Sequence, residues 1–310
     1  MTKDASWLTV YGFGAHIKST QKTLIILKKG VTEEYPIERV KHLLVIGGHT
    51  IHSATILHLI KSGAYISFFE ADGTPAGIIR PWGDRTQEQI QMLQRNLPRH
   101  RYATIIAQAA IKSRLLAVDR LSERRGATLF YEGESQFLHT SLNELEYLIK
   151  LDEIRRLSKL NTDMYYEILS RNMPEQFGFR RRTMRPQCDP INALLSFGYA
   201  MLFGNCCVSI IGARLDPDIG LLYDGTSGLV YDLMESFKAE MIDMPVSRIA
   251  DELLRAEDYE LTPNRCILSD DLAKRLTKIF QVTIDNDKID AQVGNFYRAI
   301  TENEPFTVMY

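Results

Sequence analysis

Short runs of β-branched, aliphatic and aromatic residues fill the first eighty positions, and helical spacing takes over after them. Residues 7–11 (WLTVY), 23–27 (TLIIL), 42–46 (HLLVI) and 64–69 (AYISFF) read as strands, because such side chains pack well on a half-buried pleated surface. Lys28-Lys29-Gly30 closes the second run as a turn, and Gly47-Gly48 closes the third. Asp72-Gly73 ahead of Ala76-Gly77-Ile78-Ile79 predicts a hairpin, since that dipeptide suits turns that follow strand twist. One helix interrupts the pattern at 53–62, with Ala54, Leu57 and Ile60 carrying its spacing and Gly63 as C-cap.

Pro81-Trp82-Gly83 marks a break, and helical periodicity follows. Residues 87–97 lead into an amphipathic stretch at 102–125, with Ile105, Ile106, Ala109, Leu115, Leu116 and Leu121 on its apolar side. Further helices are expected at 142–166 and 190–203, and another opens at 230–237, with few strand signals past residue 140. The predicted class is α+β: a β-sandwich-like N-terminal domain at 1–82, a linker at 83–88, and an all-α domain at 89–310. Exposed strands in so small a β domain invite burial against a second copy, so a homodimer is expected.

With 310 residues, 45% hydrophobic and 25% charged, the composition excludes a disordered chain. Lys, Arg, Glu or His is read as interrupting every apolar run before the ~18–20 residues of a membrane helix. The start, Met1-Thr2-Lys3-Asp4, lacks the apolar core of a signal peptide, so the expected location is cytoplasmic. Cys188, Cys206, Cys207 and Cys266 form no CxxC pair and read as buried, reduced thiols.

The net charge of −2 hides a sorting of charge along the chain. Arg95, Arg99, Arg101, Lys112, Arg114, Arg120, Arg124 and Arg125 meet only Asp119 and Glu123 within their own stretch. Acidic residues crowd instead between 251 and 290. The basic stretch is either a solvated helix face or a polyanion-binding one. Arg180-Arg181-Arg182 with Arg185, on a Pro- and Gly-flanked loop, tips the reading toward nucleic acid, because guanidinium groups grip phosphates well.

Walker A, G-x-G-x-x-G, G-x-S-x-G and H-E-x-x-H motifs are all missing from the sequence, and all seven histidines precede residue 140. The remaining candidate chemistry is acidic. Asp232 and Glu235 lie three apart on a predicted helix and share a face, with Asp216, Asp218 and Asp224 in the loop before them. Such a pair is either a solvated face or a divalent-metal site that activates a phosphodiester.

Three strings are distinctive in their order and spacing: residues 185–199 (RPQCDPINALLSFGY), 214–220 (RLDPDIG) and 230–237 (VYDLMESF). Together they resemble the CRISPR-associated adaptation endonuclease family, the integrase that inserts new spacers into CRISPR arrays for antiviral defence. Residues 23–30, 45–48 and 53–81 match as well, so the likeness covers nearly the whole chain. The resemblance implies a β domain, a linker and an all-α domain. It also implies binding of double-stranded or branched DNA, with Asn192 joining the arginines at the DNA, and a homodimer working with a small ferredoxin-like partner protein.

The family holds Mg²⁺ or Mn²⁺ with a glutamate on a helix, a histidine after the Asp-Pro loop and an acid of the Asp-Leu-x-Glu helix. The third position transfers onto Glu235, with Asp232 beside it. The histidine position holds Tyr223, and the glutamate position, seven residues before Tyr165, holds Ser158. Glu153 and Glu167 are five and nine residues from Ser158, about 140° and 180° round a helix, too far to substitute. The expectation is therefore a DNA-binding family member with a degenerate metal site. Two alternatives stay open: an active endonuclease using Asp224, Asp232 and Glu235 in a rearranged site, or a structural subunit paired with an active paralogue.

Overall fold

The structure, a computed structural model, describes residues 7–184 and 186–310, so Arg185 lies outside the described residues. The chain opens with β1 (Trp7–Tyr11), β2 (His16–Ser19), β3 (Thr23–Lys28), β4 (Val31–Pro36), β5 (His42–Ile46), β6 (Thr50–Ile51), helix α1 (Ser53–Lys61), β7 (Tyr65–Phe69) and β8 (Pro75–Ile79). One sheet has the order β1-β5-β7-β8, parallel except for the β7–β8 hairpin, and the other the order β4-β3-β2-β6. Val10, Leu43, Val45 and Ile66 of the first sheet share a buried cluster with Ile17, Leu24 and Ile26 of the second and Leu59 of α1. A sandwich results because the apolar faces of the two sheets, with Leu59 of α1, cover one another.

The strong strands and the Asp72-Gly73 hairpin form where the sequence predicts them. Strands β2, β4 and β6 carry weaker signals. Strand β4 holds Glu33 and Glu34 and is exposed because it sits at a sheet edge, where charge is tolerated. Helix α1 forms as expected, but Thr55 and Leu59 face inward while Leu57 is 51% exposed. Apolar spacing at 54, 57 and 60 has a good helical period, yet only one face can meet the sheets.

Helices follow: α2 (Thr86–Arg95), α3 (Arg99–Arg125), α4 (Glu134–Leu145), α5 (Leu151–Ser170), α6 (Pro190–Gly212) and α7 (Gly228–Met234). A π-helical turn (Ala239–Asp243) then leads into α8 (Met244–Glu252). A ribbon of β9 (Tyr259–Leu261) and β10 (Cys266–Leu268), then α9 (Asp270–Thr283) and α10 (Asn286–Thr301), complete the chain. The ribbon is a departure from the all-α expectation, and the helix expected at 142–166 is broken between α4 and α5. Helix α3 is buried almost all round, with Ala103, Ala107, Ala110 and Val118 inside and Leu116 at the surface.

Helix α6 corrects the membrane argument. Its 23 residues contain no Lys, Arg, His, Asp or Glu, so it is long and apolar enough to cross a bilayer, contrary to the expectation that charge interrupts every run. More than half of that apolar window is buried within the protein, the pattern of a core helix.

The described residues divide into two compact units that do not follow chain order. The first takes the residues up to Leu97 with Phe203–Ile219 and Asp287–Pro305, and the second takes Pro98–Leu202, Gly220–Asn286 and Phe306–Tyr310. Strand β5 is buried at every position, so its sheet needs cover on both faces. The second half of α6 supplies it: a Cβ on Gly212 would lie 3.0 Å from Trp7 and Leu44, and the Gly212 carbonyl bonds His42 Nδ1 at 3.0 Å. Helix α2 begins inside the expected linker. Cys206, Cys207 and Cys266 are buried free thiols as expected, whereas Cys188 is exposed.

Candidate functional site

The site lies in the second unit, where α3, α5, α7 and the π-helical turn bring together residues far apart in sequence. Asp232, in the last turn of α7, is 1% exposed and accepts backbone N–H groups from Leu221, Leu222 and Tyr223, the last at 2.8 Å. Its carboxylate is thereby an organiser of the 220s loop. Burial pushes its pKa up to about 7, against the downward pull of those three backbone donors. The loop also passes so close to itself that a Cβ on Gly220 would lie 2.1 Å from the Tyr223 carbonyl oxygen and 2.8 Å from Gly228. The glycine in the 214–220 string is there for that crossing.

Asp232 thus fixes the backbone of Tyr223, whose hydroxyl donates to Glu235 Oε1 at 3.3 Å. The other Glu235 oxygen accepts from Arg114 Nη2 at 2.6 Å, and Lys238 pairs with Oε1 from one helical turn on. Glu235 is 5% exposed and Arg114 3%. Burial alone would raise the Glu235 pKa, but Lys238 and Arg114 outweigh it and hold the carboxyl below its ordinary value. The Tyr223 phenol moves up, chiefly because Glu235 repels a phenolate and then because of burial.

Ser158 is buried on α5 with Asn161 and Tyr165 at spacings of three and seven, hence on one face. Arg155, a turn earlier, donates from Nε to the Leu222 carbonyl at 2.6 Å and pairs with Asp224. Tyr165, two turns later, lies under the Arg114 guanidinium, 5.7 Å from its ring centroid. Asp224 pairs with Arg99 as well as Arg155. Among the described residues, no group of three or more His, Cys, Asp or Glu is placed to hold a metal ion.

Sequence reasoning missed the cations and the tyrosine network. Asp243 ends the π-helical turn, is 1% exposed, and accepts from the Tyr165 hydroxyl at 2.9 Å and from the Tyr199 hydroxyl. The Tyr166 and Tyr199 hydroxyls are 2.5 Å apart, and Lys238 stands 5.4 Å from the Tyr199 ring centroid. A signal existed for two of these residues. Arg114 runs directly into Leu115-Leu116-Ala117-Val118 and Asp243 lies between Ile242 and Met244, and charges set among apolar residues are buried only when paired.

Burial pushes the Asp243 pKa from 3.8 up to about 6, against the tyrosine hydrogen bonds and the charges of Arg114 and Lys238. The folded state therefore holds this proton more tightly than the unfolded chain does. Its stabilising contribution is complete below about pH 4 and is lost as pH rises toward 6, at ~1.4 kcal/mol per pH unit. Asp243→Asn lacks this slope and should gain stability relative to the parent between pH 4 and pH 6. Urea unfolding at both values measures it, and parallel pH curves for the two proteins would disprove the assignment.

Among the described residues, five of the eight basic residues in the stretch that looked sorted by sequence pair with acids in space. Arg95 meets Asp216, Arg99 meets Asp224, Arg114 meets Glu235, Arg120 meets Glu240 and Arg124 meets Asp251. On the 180s loop, Arg180 and Arg181 are exposed. Arg182 turns inward, donating to Asn192 Oδ1 and Ser196 Oγ, both at 2.9 Å, and lying 5.3 Å from the Tyr199 ring centroid. Asn192 is fully buried and ties the loop down by accepting from Thr183 N and donating to the Arg181 carbonyl. Exposed cations thus stand on a loop anchored by Arg182 and Asn192.

The family model described as CRISPR associated protein Cas1 matches residues 8–282. The chain is 40% identical over 299 residues to a putative CRISPR-associated endonuclease Cas1 2 of Methanospirillum hungatei, covering 96% of this chain and 99% of the relative. It is 26% identical over 274 residues to the CRISPR-associated endonuclease Cas1 of Methanothermobacter thermautotrophicus, covering 87% and 79%. Among solved structures, a casposase bound to integration product superimposes with a TM-score of 0.83 at 18% identity, over 97% of each chain. A partial Cas6-RT-Cas1–Cas2 complex gives 0.79 at 18% identity, over 98% of each. These structural likenesses show a common fold.

Proposed function

The chain belongs to the Cas1 family, the spacer-acquisition endonucleases and integrases of CRISPR systems, and from that membership we propose that it is a DNA-binding member whose own metal-dependent centre is degenerate. One observation carries the reading. Glu235, the retained ligand position, has both carboxylate oxygens engaged by Arg114, Lys238 and the Tyr223 hydroxyl.

The residues present do not fit the divalent ion that the family uses. Mg²⁺ keeps several waters and demands near-octahedral oxygen donors, whereas Glu235 is buried against two cations. Asp232 is committed to three backbone N–H groups, and Ser158 and Tyr223 offer neutral hydroxyls in place of a carboxylate and an imidazole. These residues therefore supply no metal-bound chemistry. What the residues do instead is hold shape: Asp232 sets the loop, Arg155 clips it to α5, and Glu235 joins α3 to the turn after α7.

In this reading the exposed Arg180 and Arg181 contact DNA phosphates, and the protein works as a homodimer in the cytoplasm beside a small ferredoxin-like partner. Solved relatives in complexes with Cas2 share the fold, which supports that partnership. The test of the chemistry is cleavage and integration of short duplex DNA by purified protein. Activity in millimolar Mn²⁺ is expected to stay near the EDTA background, and robust Mn²⁺-dependent cleavage abolished by Glu235→Gln would return the active-enzyme reading to first place.

DNA binding has a separate test. Replacing Arg180 and Arg181 with alanine should weaken all duplexes about equally and reduce the salt slope by ~1 for each phosphate that is no longer neutralised. Arg182→Ala should act through loop order, lowering the melting temperature as well. An unchanged salt slope in Arg180→Ala/Arg181→Ala would remove both residues from the interface.

A further inference from the structure

Glu235 sits among two permanent positive charges brought from opposite directions in the sequence. Arg114 comes from the middle of α3, where it is buried along with Ala110, Ile111, Ala117 and Val118, and Lys238 from the segment just after α7. Their combined formal charge equals that of one divalent ion. Arg114 is no incidental neighbour: it is buried to the same degree as Glu235, and its ion pair is 2.6 Å long. Its other terminal nitrogen, Nη1, is buried with no hydrogen-bond partner among the described residues. A buried guanidinium with one donor unmatched is a costly group to keep, and Glu235 is the carboxylate that compensates it here.

We propose that Arg114 is the resident counter-cation of this site, supplying with Lys238 the positive charge that a divalent ion would otherwise bring to Glu235. The inference rests on the degenerate-centre reading and deepens it, since it names the residue that takes the ion's place. Losing two ligands removes the means of holding a metal. It also leaves a buried acid that still needs positive charge, and an arginine reaching from the adjacent helix meets that need permanently. Folding of this protein thereby becomes indifferent to divalent metal, and Arg114 acts as a positioning residue for Glu235.

The experiment is thermal unfolding of the full chain in EDTA and in millimolar Mn²⁺, for the parent, Arg114→Met, Arg114→Lys and Arg114→Met/Glu235→Gln. The parent midpoint is expected to be the same in both buffers. Arg114→Met should melt several degrees lower, and Mn²⁺ should recover part of that loss, because the exposed need for positive charge is then open to an added cation. Arg114→Lys should keep the charge and stay unresponsive, and Arg114→Met/Glu235→Gln should lose the response. If the parent and a folded Arg114→Met are both unresponsive, this inference falls while the degenerate-centre reading stands. A parent midpoint raised by Mn²⁺, with the rise removed by Glu235→Gln, overturns both. Should Arg114→Met fail to fold, Arg114→Met/Glu235→Leu, which removes both charges together, must fold better than the single variant. Equal failure of the two would overturn the pairing.

Discussion

Ser158→Glu, Tyr223→His and Arg114→Met made together are expected to convert the protein into a Mn²⁺-dependent nuclease, raising cleavage of short duplex DNA by about 100-fold or more over the parent. The first two changes supply the carboxylate and imidazole that the ligand positions lack. The third removes the guanidinium that holds Glu235. Each alone should raise cleavage little, because Arg114 still holds Glu235 in the first two and the third lacks the carboxylate and imidazole that would fix a bound ion for chemistry. Tyr223→His is well placed for the attempt, since the backbone N–H of residue 223 is held by Asp232 at 2.8 Å whatever its side chain. Cleavage by the triple variant in Mn²⁺, with Glu235→Gln added as the control, measures it. A folded triple variant with no gain would mean that Ser158, Tyr223 and Glu235 do not face one point.

Gly220→Ala should be the most damaging single methyl that can be added near the site. The new carbon would sit 2.1 Å from the Tyr223 carbonyl oxygen and 2.9 Å from Gly228 Cα, both backbone, so no side chain can swing aside. Relief requires the 220s loop to move, which pulls its N–H groups off the buried Asp232 carboxylate. Overpacking costs ~1–3 kcal/mol, and leaving a buried charge short of donors adds at least a comparable amount. Urea unfolding should therefore show a loss of about 3 kcal/mol or more, with Leu221–Tyr223 amides losing protection from hydrogen exchange. A variant as stable as the parent would show that the loop can take another path.

Both predictions turn on contacts that no local pattern announces, which separates what the sequence determined from what it left open. Strands β1, β3, β5 and β7 were legible because β-branched and apolar runs bury on a pleated sheet wherever they occur. The hairpin at Asp72-Gly73 was legible because a left-handed backbone, φ 88° at Gly73, asks for that residue. The family was legible too, since three motif strings in fixed order and spacing belong to one chain and need no partner to be read.

Pairing in space was not legible. Arg114 looked like one more residue of a basic surface, but burial of α3 on nearly every side turned it inward to Glu235. Arg95, Arg99, Arg120 and Arg124 met Asp216, Asp224, Glu240 and Asp251 only after folding. Arg182 and Asn192 belonged by sequence with the exposed arginines, and the loop's need for buried hydrogen bonds made them its anchors. Local composition decides where a backbone is helix or strand, because that depends on residues within a turn or two. Whether a charge faces water or another charge depends on which distant helix lies across from it, and the tertiary structure alone decided that.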